Sequence, residues 1–471
     1  MRYISTRDSS HAVTLSEAIS RGLAPDGGLY IPESFPTVDP ASFAEDQSLL
    51  EVAERLLQPF FAGDRLAPEL KAICGSAFDF PIPLKPLRDQ TAVLELFHGP
   101  TAAFKDVGAR FLAECLSRLH AGARKPLTIL VATSGDTGGA VAAAFHGRPG
   151  VEVVVLYPKG RVSPRQEKQL TAWGDNVHAF AVRGDFDDCQ RMAKGALTDP
   201  EFRARWKLSS ANSINLGRLL PQMVYYAFSS LRYRAEHGVE PGFIIPSGNV
   251  GNATACLWAQ RTGMPIREIV LATNENPTLT EYVSGGDWIP RATVATLATA
   301  MDVGNPSNME RIFELCGGVE AARERLHAFR VSDEEIREEI REGEERWGQI
   351  WDPHTATAAA VRSRVAGEDW ILVSTAHPAK FEAVVEPLVG REVEVPPALA
   401  RILERSSHAV EIDAELASLW EAMAGEGQEG RGKRREECPI LEVFPDHHLN
   451  ASMSLLEYNH EYGDIPSIHC C

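Results

Sequence analysis

An α/β protein with parallel sheets, preceded by a small and mostly helical N-terminal region, is predicted by three features of the chain. Runs at 127–133, 151–157 and 242–246 are near-continuously apolar, which is how strands covered on both faces read. Polar turns and amphipathic or alanine-rich segments alternate with such runs, the pattern of parallel strand–helix units. Residues 1 to about 90 lack that texture: turn signals such as Ala24-Pro-Asp-Gly-Gly28 and Pro81-Ile-Pro83 separate short helix-period stretches like 49–57.

The elements follow in order. The N-terminal region spans 1–90, and an α/β core spans 91–424, with a further strand expected at 371–374. Between about 320 and 350 the chain is strongly charged, and Val331 or Ile336 with Ile340 form the apolar side of a solvated helix. From Gly425 the run Gly-Glu-Gly-Gln-Glu-Gly-Arg-Gly-Lys loses apolar periodicity, so 425–471 is expected to be a flexible linker and tail. The tail holds His447, His448, His460 and His469, but their spacing matches no common metal site, so no metal is expected.

Composition sets limits on function. The net charge of −18 and the absence of a basic block argue against nucleic acid as a partner. No run approaches the ~20 apolar residues of a membrane helix, and the N-terminus lacks the apolar stretch of a signal peptide. The eight cysteines show no CxxC pair, which suits buried thiols in a reducing compartment, so a cytoplasmic location is expected. An anionic ligand must therefore be held by local groups.

Five runs carry such groups. In His98-Gly-Pro-Thr-Ala-Ala-Phe-Lys-Asp106, a strand breaks and an amphipathic helix with Val107, Phe111, Cys115 and Leu119 on its buried face follows. Lys105 then sits at the helix N-terminus, where dipole and desolvation both disfavour the ammonium form, and a neutral amine is what Schiff-base chemistry requires. In Ala132-Thr-Ser-Gly-Asp-Thr-Gly138, backbone N–H groups and the hydroxyls of Ser134 and Thr137 suit an anion at a helix start. In Pro246-Ser-Gly-Asn-Val-Gly-Asn252, the two glycines permit close approach of backbone amides to a phosphate. Asn212, Ser213, Asn215 and Arg218 gather donors for a phosphate ester. In Thr375-Ala-His-Pro-Ala-Lys-Phe381, a threonine hydroxyl at a strand end can hydrogen-bond a ring nitrogen without protonating it. Each run alone also fits a plainer role: a snorkelling lysine, ordinary helix caps, a βα turn, a surface arginine.

Together and in this order, the five runs resemble the threonine synthases, in their bacterial and fungal branch, which are fold type II pyridoxal-phosphate enzymes. Ala300-Met-Asp-Val-Gly-Asn-Pro-Ser-Asn308 and Gly22-Leu-Ala-Pro-Asp-Gly-Gly-Leu-Tyr-Ile-Pro32 extend the resemblance, which covers about residues 1–422. It implies a tryptophan synthase β-like fold of two α/β subdomains, the smaller at roughly 130–205, with the cofactor in the cleft. It further implies Lys105 as the lysine that carries pyridoxal 5'-phosphate. Gly248, Asn249, Val250, Gly251 and Asn252 become the cofactor's phosphate loop, Asp136 a neighbour of its ring oxygen, and Thr375 the partner of its ring nitrogen. Ser134 and Thr137 would meet the substrate's carboxylate or phosphate end, and Asn212, Ser213 and Arg218 its phosphate. Related sequences often carry Phe-Gly-Asp where Val250-Gly-Asn252 stands here.

The implied activity is the last step of threonine biosynthesis, a lyase reaction converting O-phospho-L-homoserine and water to L-threonine and phosphate, by a monomer or homodimer. Two other readings stay open on the residues: another β-eliminase on the same frame, such as a serine or threonine dehydratase or a phospho-amino-acid lyase, and a catalytically silent cofactor-binding protein. Arg218 and its neighbours argue against a dehydratase, which has no phosphate ester to hold. Lys105, Thr375 and the glycine loops argue against the second.

Overall fold

The computed structural model describes residues 1–133 and 135–433. Two parallel sheets dominate. The larger runs in the order His327–Arg330, Ile269–Thr273, Gly242–Pro246, Trp370–Ser374, Thr91–Glu95 and Leu84–Pro86, with only the last strand antiparallel. The smaller is all parallel: Val410–Asp413, Val177–Arg183, Val151–Pro158, Leu127–Ala132 and Lys207–Ser209. The expected strands lie within these sheets, and their central members are buried on both faces. Continuous apolar runs rather than alternating ones are the consequence.

The N-terminal region is built on helices Leu15–Arg21, Leu49–Phe61 and Leu70–Ala77, beside a small antiparallel pair, Tyr3–Ser5 with Tyr30–Pro32. Thr14 with Glu17 and Ser48 with Glu51 form capping boxes that start the first two helices. The second helix buries Val52, Leu56, Leu57, Phe60 and Phe61 and packs on Gln222–His237 of the core. At about 25 cal/mol per Å² of apolar surface, each such side chain contributes roughly 2 kcal/mol of burial.

The charged segment is a helix, Asp333–Trp347, started by a Ser332–Glu335 capping box and buried through Ile336, Ile340 and Trp347. Val331 is buried but precedes the helix. The linker expected from Gly425 is corrected in part: the helix that begins at Leu416 runs to Lys433. Leu419 and Met423 are buried, so the helix is already nucleated before the glycine-rich run begins. The tail histidines lie outside the described residues. Among the described residues no helix is long and apolar enough to cross a membrane, and no His, Cys, Asp and Glu cluster could hold a metal.

Candidate active site

The five runs singled out above leave the C-terminal ends of five parallel strands. Thr91–Glu95, Trp370–Ser374 and Gly242–Pro246 are neighbours in the larger sheet; Leu127–Ala132 and Lys207–Ser209 are neighbours in the smaller. Ligands of parallel α/β folds bind outside that end of the strands.

Lys105 is the first residue of the helix Lys105–His120. The segment before it is pinned to the Thr375 run: Phe104 N–H donates to Thr375 O at 2.8 Å, His377 N–H to Ala102 O at 3.0 Å, and Ala103 bridges Ala376. Its side chain is only 13% exposed, with Nζ 3.6 Å from Asp136 Oδ2. Burial pushes the amine below its ordinary value, Lys380 and Arg218 push the same way, and Asp136 opposes them.

Asp136 opens the helix Asp136–Phe145. Burial would raise its carboxyl, but Lys380, Lys105 and His354 outweigh it and hold the group well below the usual carboxylate range. Thr137 follows it, half-buried in the first turn. Ser134 lies outside the described residues. Thr133 Oγ1 accepts the amides of Gly135 and Gly138 at 3.0 and 2.9 Å, so part of this helix start is capped from within the chain.

Arg218 lies against the lysine helix. A Cβ on Gly108, one turn beyond Lys105, would stand 2.9 Å from Arg218 Nε and 2.8 Å from Arg218 O, so only glycine fits there. Arg218 is 3% exposed and its guanidinium donates to Ala211 O at 2.6 Å, while Nε has no partner among the described residues. Among the described residues it forms no ion pair with a carboxylate. Burial pushes it down to about 10, with Asp106 opposing.

The glycine-rich turn is held from two sides. Asn249 Nδ2 donates to Ser213 Oγ at 2.6 Å, and Asn249 Oδ1 accepts Ser307 N–H at 2.5 Å. Asn308 Nδ2 donates to Asn249 O at 3.1 Å, and the buried Arg311 donates to Asn308 Oδ1, Tyr30 O and Ile214 O. Val250 sits at φ +59°, a left-handed conformation unusual for a β-branched residue, immediately before the helix Gly251–Arg261. Gly251 and Asn252 open that helix. Asn252 Oδ1 accepts from the Tyr225 and Tyr226 hydroxyls, and its buried Nδ2 has no partner. Gly248 requires a different explanation from phosphate approach alone: a Cβ there would meet Met301 Cα at 2.6 Å. The 300–308 run thus rests directly on the turn.

Asn212 is half-buried beside Ser213; Asn215 instead caps the Leu216–Leu219 turn and donates to Ile19 O. Thr375 N–H donates to Thr355 Oγ1 at 3.2 Å, within a group comprising Asp352, Thr355 and Ser374. His354 donates from Nδ1 to Asp352 at 2.8 Å and accepts Ala300 N–H at Nε2, which sets its tautomer.

Sequence patterning did not single out Lys380, Tyr225, Tyr226 or His354 as members of this site. Lys380 was visible inside the Thr375 run; the tyrosines lay in an apolar stretch, where they read as core.

The residues fit pyridoxal phosphate. Two buried donors that lack partners among the described residues, Arg218 Nε and Asn252 Nδ2, together with the helix start at Gly251, suit phosphate groups. A buried lysine beside further cations suits condensation with a carbonyl.

Comparison with known proteins agrees in extent and kind. Residues 2–78 match a model described as threonine synthase N terminus, 83–375 one described as pyridoxal-phosphate dependent enzyme, and 355–423 one described as threonine synthase, C-terminal. A threonine synthase of Serratia marcescens is 41% identical over 90% of this chain and 99% of its own length. That of Escherichia coli is 38% identical, covering 90% and 99%. Among solved structures, the E. coli threonine synthase superposes with a TM-score of 0.81 at 36% identity, over 90% of this chain and 100% of its own. The pyridoxal-phosphate-bound threonine synthase of Brucella melitensis gives 0.84 at 34%, covering 92% and 100%.

Proposed function

The chain belongs to the threonine synthase family of pyridoxal-phosphate enzymes, and from that membership we propose that it converts O-phospho-L-homoserine and water to L-threonine and phosphate. It is a pyridoxal-phosphate-dependent lyase with the activity its relatives are named for. The observation that carries the choice of substrate is Arg218: a buried guanidinium that forms no carboxylate ion pair among the described residues, packed against the helix that begins at Lys105. An unpaired buried cation is costly unless an anionic ligand meets it.

Bound pyridoxal phosphate supplies a sink for the electron pair left at Cα when its proton departs. Lys105 is the proposed attachment point and proton carrier. Its depressed amine is suited to take the Cα proton and to return protons at later steps. Gly248, Asn249, Val250, Gly251 and Asn252 would hold the cofactor's phosphate, Asp136 its ring oxygen and Thr375 its ring nitrogen. A hydroxyl at the last position leaves the ring nitrogen unprotonated, which discourages transamination. Arg218, Asn212 and Ser213 would bind the substrate's phosphate, and Ser134 and Thr137 its carboxylate or phosphate end. A cytoplasmic location belongs to the same proposal, supported by the free buried thiols of Cys74, Cys115, Cys189 and Cys256.

Lys105→Ala tests the assignment. Phosphate release from O-phosphohomoserine is expected to vanish, and release at the wild-type rate would overturn it.

A further inference from the structure

Lys380 is wholly buried, in the short turn Pro378–Phe381 that the pairing of Ala376 with Ala103 brings beside the cofactor lysine. Its Nζ donates to Thr101 O at 2.6 Å and lies 3.0 Å from Asp136 Oδ1. Gln166 Nε2 donates to the same oxygen at 3.2 Å. The other oxygen, Oδ2, faces Lys105 at 3.6 Å. One buried carboxylate therefore stands between two lysines, and the lysine that the proposed chemistry does not use has the closer contact.

This placement decides what Lys105 experiences. A lone carboxylate at that distance in a buried site would hold Lys105 as an ammonium ion. A carboxylate already paired with a second cation presents a nearly neutral group instead. We propose that Lys380 is a positioning residue for Lys105: it fixes Asp136 by one oxygen and cancels its charge, so that the Lys105 amine is available without its proton. The other titratable groups facing this cluster are Arg218 beside Lys105, His354 beside Asp136, His377 beside Lys380, and Asp106, which accepts Thr101 N–H and Oγ1–H. Thr101 thus receives Lys380 at its carbonyl while its amide and hydroxyl are held by Asp106, a backbone anchor that leaves Lys380 little freedom.

The inference takes its importance from the reading of Lys105 as cofactor lysine, but its test does not depend on that reading. The rate at which an amine-reactive acetylating reagent labels Lys105 in full-length, cofactor-free protein, followed by peptide mass spectrometry across neutral to alkaline pH, reports the titration of that amine. Lys380→Met exposes Lys105 to an uncancelled carboxylate, and labelling at a given sub-saturating pH is expected to slow about tenfold or more. Asp136→Asn leaves Lys380 uncancelled, and labelling is expected to quicken. The double variant is expected within about threefold of wild type, because the two opposed charges leave together. Lys380→Arg is expected to preserve the wild-type profile. A Lys380→Met protein that folds and labels like wild type would overturn the proposal, as would two single variants shifting in the same direction. If Lys380→Met does not fold, Lys380→Gln decides on the same readout: slower labelling supports the proposal and an unmoved profile overturns it. A Lys105→Ala protein that kept full activity would remove the functional reading while leaving the labelling result intact.

Discussion

Asn249 donates its side-chain amide to Ser213 Oγ across 2.6 Å, joining the glycine-rich turn of the larger sheet to the Ser-Ala-Asn-Ser run of the smaller one. The same side chain accepts Ser307 N–H, so a single residue ties together three segments. Removing it with Asn249→Ala forfeits two hydrogen bonds at about 1 kcal/mol each. Titration with pyridoxal phosphate, followed by absorbance, is expected to show affinity weakened roughly thirtyfold. Unchanged affinity would mean that the turn is held without Asn249.

Arg218→Met separates binding from stability. A hydrogen bond to a charged group is worth about 1.5–3 kcal/mol, so KM for O-phosphohomoserine is expected to rise from about ten- to 150-fold. The ligand-free protein is not expected to lose stability, since the variant removes a buried guanidinium that forms no carboxylate ion pair among the described residues. Steady-state kinetics beside a thermal melt checks both; a large drop in Tm with unaltered KM would make Arg218 a structural residue.

Val250 carries opposed contributions. Its left-handed backbone costs on the order of 1–2 kcal/mol, and its buried side chain contributes about the same. Val250→Gly is therefore expected to change unfolding free energy by less than about 1 kcal/mol in a urea titration. A loss well above about 2 kcal/mol would mean that the conformation is unstrained.

Two histidines, the buried His120 and the half-buried His377, and Asp302 contribute to acid stability. Burial pushes His120 and His377 down to about 4; Lys207 pushes the same way at the first, and Asp352 opposes the shift at the second. Burial pushes Asp302 up to about 6, against hydrogen bonds from Thr296. Between about pH 4 and 6 the unfolded histidines take up protons that the folded ones refuse, so acid destabilises the fold. The protonated Asp302 of the folded state works the other way, because its unfolded form has lost that proton. Two protons against one leave these three groups a net contribution of about 1.4 kcal/mol per pH unit near pH 5, with stability falling as pH falls. Urea midpoints across that window are expected to follow this sign, and Asp302→Asn to steepen the slope. An Asp302→Asn profile no steeper than wild type would contradict the raised carboxyl of Asp302.

Much of the site was legible in local patterns. Leu127–Ala132 and Gly242–Pro246 announce themselves by continuous apolar runs ending in glycine-rich turns, and Lys105 by the switch from strand to amphipathic helix. Lys380 was not legible in its role, because its meeting with Asp136 depends on antiparallel pairing between residues near 103 and 376. Tyr225 and Tyr226 hold Asn252 through hydroxyls that an apolar run conceals. The strand Val410–Asp413 escaped notice since it lies at a sheet edge with three of its four residues exposed. Gly248 was marked as necessary, but its necessity also comes from Met301, distant in sequence.

The most direct measurement is incubation of the purified, cofactor-loaded protein with O-phospho-L-homoserine while phosphate and threonine are followed together. Equimolar appearance of both, abolished in Lys105→Ala, is the expected result. Faster deamination of threonine than consumption of O-phosphohomoserine, or phosphate released without threonine, would contradict the proposed function.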